Sequence, residues 1–277
     1  MTVHVVIPVF NRLAMTQSLV GCLRNQHLDE NLNILVIDDG STDGSSEWLL
    51  EQNDIETLHG DGSLFWGGAV DKAFQHLLDK ASLEDWVLLI NNDTKIDHNF
   101  IQSLLDIARQ YAPAAVGSVI CDEIDLSRLL SIGVSIDSWR LKTKDIIDQD
   151  VFLSSSSPIE VDALSGRGVI LPMESLKASG GMRPKFLPHY LADYEFSLRV
   201  KRSGWKLLVS REAAVYSSDD YGSRKLNLSW GEKLFSVRSP QYLPAMIIFW
   251  WEASNFLQKI TLPFRVILFM AFPNLRK

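Results

Sequence analysis

The chain is short of cysteine, of positive charge and of long apolar runs. Among its 277 residues only Cys22 and Cys121 are cysteines, with no CxxC pair. That excludes a disulfide framework and a cysteine zinc site, and it suits a reducing cytosol. Lys+Arg number 27 against 34 Asp+Glu, a formal net charge of −7. Phosphate neutralisation needs clustered cations, so general nucleic-acid binding is excluded too. No uninterrupted apolar run reaches the ~20 residues of a membrane-spanning helix. The start, Met1-Thr2-Val3-His4, carries no basic region, and the apolar stretch from Val5 ends at Phe10, so no signal peptide is expected. Neither GxGxxG nor GxxxxGK[ST] occurs, so the dinucleotide and P-loop phosphate cradles are missing. What is there is ordinary for a globular protein, 46% hydrophobic and 22% charged. This is one large domain, or one plus an appendage.

Short apolar runs alternate with helical patterns over the first 120 residues. Strands are expected at 3–9, 33–38, 55–59, 85–90 and 114–120, and helices at 13–25, 45–52, 68–80 and 98–111. Strands that are apolar almost throughout indicate an α/β fold, a mostly parallel sheet flanked by helices. Ligands of such sheets lie beyond the carboxyl ends of the strands. After residue 120 the pattern loosens. Strands are expected at 131–136, 159–163, 168–172, 205–209 and 213–216, and a helix at 190–203. Residues 145–158 read as a polar, serine-rich loop, 221–228 as irregular, and 229 onward as helical.

The first strand runs into Pro8-Val9-Phe10-Asn11-Arg12. The second ends in Ile37-Asp38-Asp39-Gly40-Ser41-Thr42-Asp43-Gly44. A capping Ser41 or Asp43 and a turning Gly40 explain the end of that loop. They leave two adjacent carboxylates, suited to accept hydrogen bonds from a base N–H or a ribose hydroxyl. The third strand leads into Gly60-Asp61-Gly62-Ser63-Leu64-Phe65-Trp66-Gly67-Gly68, where glycines permit close backbone approach to a ligand. Phe65 and Trp66 are either packed under the next helix or covered by that ligand. The fourth ends in Leu89-Ile90-Asn91-Asn92-Asp93-Thr94. Oxygen ligands spaced D-x-D hold Mg2+ or Mn2+ against a diphosphate; here the pair is Asn91-x-Asp93, with one charge.

In this order and spacing, IPVFNR, IDDGSTDGS, GDGSLFWGG and LLINNDT resemble the inverting family 2 glycosyltransferases of GT-A fold. DALSGRGVILP, HYLADYEFSLRVKRSGWKL and LFSVRSPQYL extend the resemblance over about residues 3–245, closest to the rhamnosyltransferase-like branch of bacterial polysaccharide assembly. The resemblance implies a metal-dependent enzyme, which the low cysteine count places in the cytoplasm and for which the apolar tail offers the inner face of the cytoplasmic membrane as one setting. Its donor would be a UDP- or dTDP-linked sugar and its acceptor a glycan or lipid-linked saccharide. It places Pro8, Asn11, Asp39 and Asp61 at the nucleotide, and Trp66, Gly67, Asn91 and Asp93 at the donor sugar and diphosphate. Asp93 would hold Mg2+ or Mn2+. The family's acidic pair at a helix start maps to Ala192-Asp193, so Asp193 would be the general base and the preceding glutamate is absent. Asp193 is also readable as a plain N-cap. Glu195 either takes part of the missing role at the acceptor or forms an i,i+4 ion pair with Arg199. Arg167, between glycines, is an anion ligand or a surface arginine, and His189 an acceptor contact or a loop residue. No histidine follows His189 to serve as a further metal ligand, which leaves Asp219, Asp220 or an unliganded position.

The resemblance divides the chain into a catalytic domain at 1–228 and a helical extension at 229–277. Residues 1–120 form the nucleotide-sugar half and 121–228 the acceptor half. The alternatives are a sugar nucleotidyltransferase, which carries a glycine-rich basic loop after its first strand, and a non-catalytic nucleotide-binding protein of the same fold. The tail, 241–277, has a net charge of +3 against −10 for the rest, and residues 242–251 carry no charge. It packs on the catalytic domain, forms a homodimer interface, or lies in a membrane surface as peripheral helices.

Overall fold

The computed structural model describes residues 1–154, 158–218 and 229–272. The expected irregular stretch at 221–228, the end of the serine-rich loop, and Asp219 and Asp220 lie outside them. The first half alternates as its apolar pattern requires: β1 (Thr2–Val9), α1 (Leu13–Arg24), β2 (Asn31–Asp38), α2 (Ser45–Leu50), β3 (Ile55–His59), α3 (Phe65–Lys80), β4 (Trp86–Leu89), β5 (Lys95–Ile96), α4 (Phe100–Gln110) and β6 (Ala114–Asp122). There follow β7 (Leu129–Ser131), β8 (Val134–Asp137), β9 (Lys142–Asp145), α5 (Gln149–Ser154), β10 (Ile159–Glu160), β11 (Val169–Pro172), α6 (Met173–Ser179), α7 (Ala192–Arg202) and β12 (Lys206–Ser217). The chain ends in α8 (Trp230–Phe235), α9 (Leu243–Ala253) and α10 (Phe256–Ala271).

The main sheet has the order β10-β12-β6-β11-β4-β1-β2-β3. β1 runs parallel to β2 and β4, β2 to β3, and β6 to β12. β11 is antiparallel between β4 and β6. The carboxyl ends of β1, β2, β3, β4, β6 and β12 therefore share one edge, and β11 begins there. Alternation along β1 sends Val5 and Ile7 into a core under α1 and α4, and Val6 into a second core under α3, α6 and α7. This is the mostly parallel, helix-flanked sheet expected from the continuous apolar strands.

Several local expectations are corrected. The strand expected at 131–136 is split between β7 and β8 at Gly133, which has φ +105° and whose Cβ would lie 2.5 Å from Val161 Cγ1. The strands expected at 205–209 and 213–216 are one strand, β12, with a bulge between Val209 and Ala214; polar Ser210-Arg211-Glu212 hid the continuity. The loop expected at 145–158 contains α5, and β9 and α6 were not anticipated. α3 begins at Phe65, ahead of the expected Gly68, so Trp66 and Gly67 belong to a helix rather than a loop. Among the described residues no helix is long and apolar enough to cross a membrane.

Candidate functional site

At the end of β2 two buried carboxylates hold the neighbouring loops. Asp38 Oδ1 accepts from the N–H of Ser41 at 3.0 Å, and its other oxygen takes the Ser46 hydroxyl. Asp39 Oδ1 accepts from the N–H groups of Gly62 (2.9 Å) and Leu64 (3.3 Å), and Oδ2 from Phe65 (3.1 Å). Gly60 is required here, because a Cβ would lie 2.4 Å from Asp39 Oδ1. Asp39 is thus 4% exposed and shapes the glycine-rich loop through its backbone. Replacing Asp39 by Ala is expected to cost about 1–3 kcal/mol of stability, through orphaned N–H groups. It should weaken nucleoside diphosphate binding in parallel; calorimetric titration with UDP showing unchanged affinity would remove the loop from the site.

Asp61 is exposed and closes a turn, its Oδ1 accepting from Ser63 N (2.9 Å) and Oγ (2.5 Å). Those bonds hold its carboxyl below the usual range. Asn11, at φ 60°, donates its N–H to Ser41 Oγ (2.7 Å) and accepts from the N–H of Thr42 (2.7 Å), tying the loops after β1 and β2 together. Asp43 does not simply cap α2: its Oδ2 accepts from Leu13 N at 3.0 Å, at the start of α1, while Oδ1 takes Ser45. Pro8 lies buried in β1, just past the end of β4. On that side Val6 O accepts from Ile90 N at 3.1 Å, and the paired register with β4 stops at Val6–Leu89, so Pro8 falls where β1 no longer needs an N–H for the β4 ladder.

The loop after β4 is held at three points. Asn92, buried, donates to Thr16 Oγ1 of α1 at 3.0 Å. Asn91 Oδ1 accepts from Trp66 Nε1 at 2.8 Å. Asp93 Oδ2 accepts from Arg12 Nη1 at 2.7 Å, whereas Asp93 Oδ1 is buried with no hydrogen-bond partner. Beside them lies an open cleft of 690 Å³, lined among others by Asn11, Arg12, Asp93, Glu123 and Ser218. An orphaned carboxylate oxygen fits a divalent metal that takes its remaining ligands from a diphosphate and water, the usual Mg2+ arrangement. Asn91 is turned to the indole, and no group of three His, Cys, Asp or Glu gathers among the described residues.

Asp193 is the second residue of α7 and not its N-cap, which is Leu191 at φ 66°. Its Oδ2 accepts from Gly166 N at 3.0 Å and its Oδ1 from Tyr194 N at 2.9 Å. Burial raises its pKa to about 6, against the pull of those two N–H groups and of the Arg167 charge. Gly166 also seats Trp66, since a Cβ would fall 2.4 Å from Trp66 Cζ2. One continuous contact therefore runs from Asn91 through the indole of Trp66 and the Gly166 backbone to Asp193. Gly67 acts through its backbone as well, its N–H donating to Pro188 O at 2.7 Å. A Cβ there would lie 2.5 Å from Leu187 O, so only glycine lets α3 abut the segment leading to Asp193.

The remaining residues separate. Arg167 is 8% exposed and its Nη1 lies 3.5 Å from Ser217 Oγ, which rules out the surface-arginine reading. His189 is exposed, edge-on to Tyr190. Glu195 does not face an acceptor. It is 1% exposed, accepts from Arg199 Nε (2.9 Å) and Nη2 (3.0 Å), and pairs with Arg183 at 3.1 Å. The sequence reading gave no role to Arg12, Asn92 or Gly166. In the SGRG stretch it is the Gly166 N–H, rather than the arginine, that holds the base candidate.

Residues 4–148, just over half of the chain, match the profile of Glycosyl transferase family 2. The chain belongs to glycosyl transferase family 2. Solved structures of similar fold include GalNAc-T7 with UDP, GalNAc and Mn2+ (TM-score 0.62, 15% identity, covering 79% of this chain and 44% of that one). They also include S. aureus TarS (0.56, 18%, 79% and 37%) and its 1–349 fragment in complex with UDP (0.56, 17%, 79% and 60%). This family 2 chain thus spans 37–60% of those chains' lengths, and the likeness establishes the GT-A fold. No curated protein sequence matches the chain.

Proposed function

We propose that this family 2 glycosyltransferase moves a sugar, with inversion, from a UDP- or dTDP-linked donor to a glycan or lipid-linked saccharide. The reading places it in the rhamnosyltransferase-like branch of cell-surface polysaccharide assembly, acting in the cytoplasm, with 1–228 as catalytic domain and 229–277 as extension. The observation that carries it is Asp193, a carboxylate with a pKa of about 6 that is tied through Gly166 and Trp66 to the Asn91–Asp93 loop. An acceptor hydroxyl is too weak an acid to ionise alone. A fixed carboxylate that is ionised at neutral pH yet basic enough to take the proton as attack proceeds is what the step requires. Attack on the face opposite the leaving diphosphate inverts the anomeric centre.

Asn11, Asp61 and the loop shaped by Asp39 serve the nucleotide, and Arg12 and Arg167 supply cationic charge near the diphosphate. Asp93 Oδ1 would hold Mg2+ or Mn2+, which neutralises charge on the departing diphosphate. Replacing Asp93 by Ala is expected to remove the extra rise in melting temperature that Mn2+ adds to UDP binding. Thermal shift with and without Mn2+ reads this directly by linkage, and an unchanged increment sinks the metal assignment. Incubation with nucleotide sugars tests the whole. Release of nucleoside diphosphate supports transfer, release of pyrophosphate in a parallel incubation with nucleoside triphosphate and sugar 1-phosphate a nucleotidyltransferase, and binding without turnover in either a non-catalytic protein.

A further inference from the structure

The two tail helices have different surroundings. α9 is turned inward: Ala245, Met246, Phe249 and Trp250 are buried against Ala192 and Leu187 of the α7 region. Its single acid, Glu252, is paired with Arg183 and Arg202. α10 buries only one side, through Leu262, Val266 and Phe269. On its outer side Phe256 (77% exposed), Ile260 (60%), Phe264 (77%) and Ile267 (67%) stand uncovered. At about 100° per residue these four fall within an arc of roughly 80°. Lys259 and Arg265 lie on either side of that arc, between it and the buried face.

Each cation is stacked on a half-exposed tryptophan. Lys259 Nζ is 5.1 Å from the Trp251 ring and Arg265 Cζ 5.2 Å from that of Trp139. No acidic residue occurs in 253–277, which holds Lys259, Arg265, Arg276 and Lys277.

We propose that the outer face of α10 docks on an anionic lipid surface. The apolar stripe enters the acyl boundary. Trp139 and Trp251 sit at headgroup level and Lys259 meets lipid phosphate, while Arg265, which donates to the carbonyls of Ser138, Trp139 and Gln258, adds positive charge to the rim. Charge selects this occupant over a second copy of the chain. A two-fold contact through the stripe would bring the same basic flanks together with no acid on α10 to face them, whereas an anionic bilayer complements them.

Co-sedimentation of the full chain with vesicles of equal parts phosphatidylglycerol and phosphatidylcholine tests this. The wild type is expected to pellet at low salt, to be released at about 500 mM salt, where the Debye length shrinks to a few Å, and to bind pure phosphatidylcholine at least about tenfold more weakly. The variant Phe256→Ser/Ile260→Ser/Phe264→Ser, altered only at exposed positions, is expected to keep the wild-type melting temperature and UDP affinity and to lose vesicle binding. A wild type that stays in the supernatant, or a triple variant that pellets equally, overturns the proposal. So does a wild type that elutes as a dimer while the variant elutes as a monomer, which would give the face to a second copy.

Discussion

Replacing Asp193 by Asn is expected to lower turnover by about 10²–10⁴, the usual size of a lost general base, while donor affinity stays near the wild-type value. The carboxylate would take its proton only as attack on the anomeric carbon proceeds, so its loss should appear in kcat more than in donor binding. Transfer at a near-normal rate in the variant would remove Asp193 from the chemistry. The wild-type rate should carry an acid limb near pH 6, where the buried carboxyl ionises, and the variant should lack it. Stability gives an independent reading. The folded-state pKa lies above the ordinary value of 3.8. The protonated group therefore contributes stability that is fully present below about pH 4 and lost as pH rises through about 6. The wild type should lose stability relative to the Asn variant across that window, measured as a difference in melting temperature. A constant difference would mean that the carboxyl is not desolvated.

The largest expected effect on stability belongs to Glu195. Its carboxylate is buried between Arg199 and Arg183. Arg199 in turn donates to the carbonyls of Ser179, Gly180 and Gly181, at the turn after α6. Removing one partner of a buried pair leaves an uncompensated charge, so Glu195→Ala is expected to cost about 3–5 kcal/mol. For a chain of this size that is a fall in melting temperature of roughly 10 °C. The donor KM of the remaining folded protein should change little, because Glu195 lies on the far side of α7 from the Gly166 contact. A loss below about 1 kcal/mol, or a large rise in acceptor KM at unchanged stability, would return Glu195 to the acceptor site.

Much of this protein is written locally in its sequence. Continuous apolar strands separated by helical periods determine a helix-flanked, mostly parallel sheet, because a strand covered on both faces has no polar side to show. The ends of those strands are marked by Asp, Asn and Gly, since turns there need side chains that bond their own backbone and residues that accept positive φ. The candidate site loops are therefore legible at Asn11, Asp39, Asp61 and Asp93. The tertiary structure decided what each group does. Asp39 is held by N–H groups 23 to 26 residues away, Asn91 by an indole 25 away, and Asp193 by an N–H 27 away. No local pattern encodes such partners, because they are chosen by which loops meet at the sheet edge. The same holds for the pKa of Asp193, which depends on what surrounds the carboxyl rather than on its neighbours in sequence. It holds again for α9 and α10, both apolar in sequence, one covered by α7 and the other left with an open face. Apolar composition states that surface must be covered; only the positions of the neighbouring elements determine what covers it.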